Sequence, residues 1–480
     1  MAESLKQKAT KGLIWSGIER LSGQIVSFVL ALILARLVTP ADYGVLAIVM
    51  VFVTVSGVMV DAGFANALIR KIDCTDIDRS TVLYFNIAVS IVIYAILYLS
   101  SPLIANLYDK PELVSLVRCA SIIVVINSLG IVQQATLTSR IDFKKQTYVS
   151  LTSSVVSGVT GIVLAYNGYG VWALVVQSVL ASTIRVLMLW IMVAWKPLLV
   201  FSKESFKDLF GYSYKLMFSN LIVQGGKQAI QLLLGRFYSV ADLGYYNYAN
   251  RLGSFIPLNS VSTIQRVLFP VFSQMQDDDD RLSANFRKSL VLSMSIIVPI
   301  MFGIAAMAEP IIKILLTDEW LPTIPLLRIV CITMAIWPLL YFNMNILWVK
   351  KRSDLSLQLE IINVVFRVGI VISLFRLGIL WVCIALCIAE VLNFIMYAYY
   401  AGKVNSYNLP RQIKDTIPIF INASLSYVIV RYFAISNISN NLLCIGIGSI
   451  LMIAIYILLT KLFQGTPLLF AKQIFNQINK

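Results

Sequence analysis

Apolar stretches of 19 to 29 residues recur along the chain, parted by short polar segments. Each is long enough to cross a bilayer as a helix, for which about 20 residues suffice. Hydropathy places six in the first half: 12–35, 44–68, 82–106, 113–138, 148–166 and 170–193. Six more follow at 210–235, 245–271, 288–316, 322–348, 355–375 and 378–401, and two close the chain at 413–433 and 441–462. Helices are predicted throughout, because only helices and closed barrels satisfy the backbone in lipid. The roughly 10-residue alternation of barrel strands is absent. The expected fold is an all-α polytopic membrane protein with 14 transmembrane helices.

Span seven departs from this plain pattern. Between Tyr212 and Arg236 its apolar background is interrupted by Asn220, Gln224, Lys227, Gln228 and Gln231 at intervals of three and four. At about 3.6 residues per turn all five share one face. Amides left in lipid cost on the order of several kcal/mol each, and an ammonium at least about 2.5 kcal/mol. This face must therefore meet protein or a wet cavity. Span one repeats the pattern with Ser16, Arg20, Gly23, Gln24 and Ser27, and span eight with Asn247, Asn250, Arg251 and Ser254.

The chain also repeats itself. LILARLVTPADYG at 32–44 aligns without gaps to LLLGRFYSVADLG at 232–244, with six of thirteen positions identical and Gln24 meeting Gln224 at the same offset. Arg140 and Asp142 after span four resemble Arg352 and Asp354 after span ten. Spans one to six and seven to twelve thus read as two copies of one unit. Six crossings restore the starting side, so the copies are parallel, about an axis along the membrane normal. The expected division is a lobe at 1–205, a second at 206–402, and spans thirteen and fourteen with the C-terminus at 403–480. A pseudo-twofold would bring the polar faces of spans one and seven around a shared cleft, lined by Arg20, Lys227 and Arg251, with Lys215 and Arg266 nearer its mouth. The repeated corner has a structural reading, in which Asp42 and Asp242 N-cap spans two and eight and pair with the preceding Arg.

Composition sharpens the class. Of 480 residues, 59% are hydrophobic and 13% charged, and mean hydropathy is +0.82. The absence of His removes imidazole bases and His-liganded metals. Cys383 and Cys387 share a helix face without partner ligands and read as small hydrophobes. No cofactor is expected. Lys6, Lys8 and Lys11 precede an apolar run containing Glu19 and Arg20, which reads as an uncleaved first span.

The net charge of +15 would suit nucleic acid, but its distribution does not. With span ends counted to the adjoining loop, 24 Lys and Arg lie on the side of the termini, 8 on the other and 7 inside spans. The positive-inside rule places both termini in the cytosol. The basic balance is therefore mostly topology. Asp277, Asp278, Asp279 and Asp280 form the sharpest charge run and read as a solvated turn, since no Ca2+-loop spacing follows.

Cations on intramembrane faces suit an anionic cargo, and a diphosphate fits the planar fork of a guanidinium. The amides of Gln224, Gln228, Gln231, Asn247 and Asn250 suit sugar hydroxyls. The alternative is that Glu19, Asp61, Glu360 and Glu390 neutralise these cations inside the bundle, and for Arg20 the adjacent Glu19 makes it a serious one. Arg185 and Arg367 read as structural. Asp61 and Glu390, acids within spans, are candidates for H+ or Na+ coupling or for ion pairing.

The sequence resembles the polysaccharide branch of the multidrug/oligosaccharidyl-lipid/polysaccharide exporter superfamily, of the colanic-acid, O-antigen and teichuronic-acid type. The resemblance is carried by LARLVTPADYGVLAI at 34–48, DAGFANALIRK at 61–71 and GYGVWALVVQ at 168–177. It continues in ADLGYYNYANRL at 241–252, PVFSQMQDDDDRL at 270–282 and EPIIKILLTDEW at 309–320. It implies two six-helix lobes around a cationic cavity that alternates access. It implies transfer of undecaprenyl-diphosphate-linked oligosaccharide across the bacterial inner membrane, with a polysaccharide polymerase and chain-length machinery as candidate partners. It further implies cavity arginines on spans one and eight, places that Arg20 and Arg251 occupy, and a lipid-tail groove at the last two spans. Lys227 matches no motif of the resemblance. A polymerase or ligase would need a sizeable outer loop, and each outer loop here is a dozen residues or shorter. A drug/cation antiporter would want an acidic pocket, and this one is cationic.

Overall fold

A computed structural model describes residues 23–463, apart from 72, 141, 436, 437 and 439. Among the described residues the regular structure is helical throughout. Ten helices are long and apolar enough to cross a membrane, or eleven counting one bent pair. The chain divides into two compact units, Met1–Gly244 and Tyr245–Lys480.

In the first unit α1 (Gly23–Leu37) lies against α7 (Phe143–Tyr166), where Gly158 leaves a notch filled by Leu30. Span two is broken into α2 (Pro40–Asp61) and α3 (Phe64–Arg70). Ala62 and Gly63, both left-handed at φ 45° and 79°, make the break. The Asp61 carboxylate accepts the Ala65 N–H at 3.2 Å and so caps α3. Phe64 is then fully buried against Phe85 of α4 (Asp76–Leu107) and against Phe206 and Phe210 of α9 (Lys203–Phe237). Lys71 clamps the same corner, 3.1 Å from Asp78 and 3.2 Å from Asp208. The motif DAGFANALIRK is thus a built corner of break, cap, aromatic anchor and ion pair.

Span four is also two pieces, α5 (Leu113–Ser128) and α6 (Ile131–Ser139), bent by 43°. At the bend Gly130 lies within close contact of Val186 and Leu189 of α8 (Val171–Met192). Gly168 and Gly170, both at positive φ, turn the chain from α7 into α8.

The duplicated corner closes on itself. α2 begins with a capping box in which Thr39, rather than Asp42, is the N-cap. The Thr39 hydroxyl accepts the Asp42 N–H and donates to the Asp42 carboxylate at 2.7 Å. Ser239 and Asp242 do the same at the start of α10 (Val240–Gln274). The expected caps are therefore the partners of hydroxyl caps three positions earlier: Asp42 completes a capping box with Thr39, and Asp242 accepts the Ser239 hydroxyl. Inside the first unit the first turn of α10 crosses the first turn of α2 backbone against backbone. A Cβ on Gly44 would lie 1.7 Å from the Val240 carbonyl oxygen, and one on Gly244 would lie 1.9 Å from that of Pro40. Arg236 turns away from Asp242, donating to the Leu107 carbonyl at 2.6 Å and pairing with Asp109 at 3.2 Å. Beside it the buried Tyr108 hydroxyl donates to the Leu232 carbonyl. Burial pushes its pKa up to about 12, with Arg236 opposing.

The second unit is built on α11 (Asp279–Ala306), which packs on α13 (Thr323–Val349) and α16 (Leu409–Val430). α12 (Ala308–Leu315) and α17 (Asn441–Phe463) lie together, and α15 (Ile379–Val404) joins α13 to α14 (Ser353–Leu374). Trp320 is fully buried beneath Tyr248 and Tyr245, with ring centroids 4.6 and 6.2 Å away. Two of the sequence motifs therefore meet here. The aspartate run has defined work: Asp278 caps α11 by accepting the Arg281 N–H, and Asp279 pairs with Lys350. Asp142 caps α7, and Arg352 and Asp354 pair at 3.1 Å at the start of α14, so the second repeated motif also marks helix starts.

Candidate functional site

α9 is one unbroken helix from Lys203 to Phe237, so the spacing of its polar residues becomes geometry. Leu209, Ser213, Ile230 and Leu234 are buried and define the side that packs into the first unit. At about 100° per residue Lys227 falls within about 60° of each of these positions, Gln231 within about 100° and Gln224 within about 120°. Lys227 and Asn220 are exposed, and Gln224, Gln228 and Gln231 half-buried. The ammonium and amides thus share or border the packed side of the helix, and the exposed apolar Phe218 and Ile222 lie across the helix from them. On α1, Gln24 is half-buried with its Oε1 enclosed and without a hydrogen-bond partner among the described residues. Arg20 lies outside the described residues, as do the side chains of Lys215 and Arg266.

On α10, in the second unit, packed and polar positions part. Tyr248, Ala249 and Leu252 are buried, and Asn247, Asn250, Arg251 and Ser254 fall on the opposite side of the helix. Arg251 is exposed, while Asn247 and Asn250 are half-buried. Asn250 donates to the Tyr246 carbonyl at 3.0 Å, which holds its amide along the helix. Gly253 lets Val330 of α13 approach to 2.7 Å from where a Cβ would sit, fixing how α10 is rotated.

Glu390 is not alone in the membrane. It is 8% exposed and lies 3.7 Å from the Arg367 guanidinium, joining α15 to α14. Asn363 and Asn393 are buried on the same two helices, and their Oδ1 atoms, with Arg367 Nε, find no hydrogen-bond partner among the described residues. Tyr246 of α10 is within electrostatic reach of both Arg367 and Glu390. Tyr397 donates to the Ser356 carbonyl and ties the helices one turn further on. Glu390 and Arg367 stand out singly in the sequence, whereas Asn363 and Asn393 do not. Their intervals of four (363 to 367) and three (390 to 393) are the signal that would have exposed the cluster. Asp61 is elsewhere, occupied as the cap of α3. Asn86 of α4 and Gln133 of α6 are also fully buried, and their amide atoms find no hydrogen-bond partner among the described residues.

Solved structures share this fold. The lipid II flippase MurJ in its inward closed conformation is similar with a TM-score of 0.76 at 16% identity, over 94% of this chain and 98% of that one. An inward-facing multidrug resistance MATE family transporter of the MOP superfamily is similar with a TM-score of 0.60 at 15% identity, over 81% and 98%. Among curated proteins, the teichuronic acid biosynthesis protein TuaB of Bacillus subtilis (strain 168) is 24% identical across 88% of this chain and 89% of its own length. The lipopolysaccharide biosynthesis protein WzxC of Escherichia coli (strain K12) is 24% identical across 89% and 88%. Residues 33–325, which hold the crossed corners, α9, α10 and the Trp320 anchor, match the family described as polysaccharide biosynthesis protein. The likeness read in the sequence motifs therefore stands, and the chain belongs to the polysaccharide biosynthesis protein family.

Proposed function

We propose that this protein is a flippase that moves an undecaprenyl-diphosphate-linked oligosaccharide from the inner to the outer leaflet of the bacterial inner membrane by alternating access. The observation that carries the reading is the α9 face, an exposed ammonium with flanking amides on a helix whose other side is apolar. Such a face is costly against lipid and suited to a cargo that is anionic at one end and rich in hydroxyls at the other. The naming of TuaB and WzxC for teichuronic acid and lipopolysaccharide biosynthesis, and of MurJ as a lipid II flippase, supports the same cargo class.

In this reading Lys227, Arg251 and Arg20 bind the diphosphate. Gln24, Gln224, Gln228, Gln231, Asn247 and Asn250 touch sugars. The chain spans the membrane fourteen times, as two copies of a six-helix unit at 1–205 and 206–402 and an added pair at 403–480. Both termini are cytosolic, no chemistry is performed on the cargo, and a polymerase receives it. Ion coupling runs through Glu390 beside Arg367, because Asp61 is committed to capping α3. Deleting the gene tests the function: a lipid-linked oligosaccharide should accumulate on the cytosolic leaflet. Unchanged lipid-linked pools and unchanged surface polysaccharide would refute it.

A further inference from the structure

In the second unit the N-terminal ends of α11 and α16 enclose a polar cleft of about 410 Å³. Its floor is an ion-pair network. Arg287 donates to both oxygens of Asp415, at 2.6 and 2.9 Å, and the Tyr407 hydroxyl donates to the same carboxylate at 2.7 Å. Asp415 is only 11% exposed, so its charge is spent on Arg287. The rim carries Arg411 and Lys414 against one remaining acid, Asp280. Arg411 uses one guanidinium N–H on the Ser406 carbonyl and keeps further donors available. Lys414 is exposed and makes no hydrogen bond or ion pair among the described residues.

What lies along the helix from Lys414 decides the ligand. Ile417, Ile421, Leu425 and Val428 of α16 are all exposed, and their spacing of four, four and three sets them in a stripe that begins at Lys414. α16 is itself long and apolar enough to cross the membrane. A cationic hydroxyl-lined cleft therefore heads a lipid-facing apolar track, an arrangement made for a molecule with a phosphate at one end and acyl chains at the other. A free phosphate ester would have no use for the track. Basic pockets between membrane helices at the cytosolic level are the usual seats of anionic headgroups.

We propose that this cleft binds the phosphate of an anionic phospholipid resident in the cytosolic leaflet. Arg411 and Lys414 hold the phosphate and the α16 stripe its acyl chains. The site rests on the proposed cytosolic placement of that end of the helices, and it is separate from the cargo residues on α9 and α10.

The test uses the full-length protein in phosphatidylcholine nanodiscs carrying graded phosphatidylglycerol, with bound phosphatidylglycerol per chain counted by native mass spectrometry. Arg411→Ala and Lys414→Ala should each weaken retention by roughly 10- to 150-fold, the loss of one charged hydrogen bond. Lys414→Arg should retain most of it, and Lys461→Ala, which removes an equal charge at the end of α17, should leave it unchanged. Thermal melting verifies that each variant is folded, and Lys414→Gln serves should the alanine variant fail to fold. Equal loss in Lys461→Ala would reduce the effect to bulk charge and overturn the proposal. Full displacement by soluble glycerol phosphate would overturn the lipid as the source. The flippase reading fails independently: Lys227→Ala should slow export roughly 10- to 150-fold while leaving phosphatidylglycerol retention intact.

Discussion

Gly44→Ala puts the crossing of α2 and α10 to a direct test. The new Cβ would stand 1.7 Å from the Val240 carbonyl oxygen and 2.6 Å from its carbon. Real Cβ contacts are essentially never below 3.0 Å, so the two helix starts must part by at least about 1.3 Å. The obstacle is backbone within a capped first turn, which cannot swing aside as a side chain would. Overpacking of this kind costs about 1–3 kcal/mol, and the upper end is expected here. Gly244→Ala, facing the Pro40 carbonyl at 1.9 Å, should cost a similar amount. The double variant should cost less than the sum, because one opening relieves both clashes. Gly57→Ala is the control, since nothing lies within 4 Å of its Cβ. It should be neutral or stabilise by about 0.5–1 kcal/mol. Fluorescence-monitored melting of the detergent-solubilised protein reads all four. Wild-type melting of Gly44→Ala, or strict additivity in the double variant, would refute the crossing.

Three further outcomes are expected. Glu390→Gln strands Arg367 and should destabilise the fold by about 3–5 kcal/mol, whereas Glu390→Leu with Arg367→Leu should recover most of the loss in melting. Asp61→Asn keeps an accepting oxygen for the Ala65 N–H, so it should cost the α3 cap little and leave the dependence of export on external pH unchanged. A pH profile that shifted with Asp61→Asn would instead make it a coupling site. With both termini cytosolic, impermeant thiol reagents outside spheroplasts should miss a Cys at Asp278 and label one at Asp109 or Asp318, and the reverse pattern would invert the topology.

The helical elements were legible because lipid permits few alternatives: an apolar run of 20 residues has little choice but helix. The α9 and α10 faces were legible for the same reason, since period and polarity together place a side chain on a face. The breaks were not. Ala62 holds a left-handed conformation that nothing in its identity announces, and the bend between Ser128 and Ile131 depends on how Gly130 meets α8. The repeat at Asp42 and Asp242 was visible, but its chemistry was assigned one step off, because Thr39 and Ser239 are less noticeable than the acids they partner. Nor does local sequence disclose that Arg236 reaches Asp109, over a hundred residues away, or that Arg367 reaches Glu390. Such pairings are products of tertiary packing.

The central claim is tested most directly by reconstituting the purified protein into vesicles loaded with the diphosphate-linked oligosaccharide extracted from the deletion strain. An impermeant enzyme that cleaves only outward-facing cargo then reads its movement between leaflets. The wild-type protein should expose the inner pool well above the rate of protein-free vesicles, and Lys227→Ala and Arg251→Ala should slow exposure roughly 10- to 150-fold while melting as wild type. Exposure no faster than in protein-free vesicles, or undiminished in both folded variants, would contradict the account.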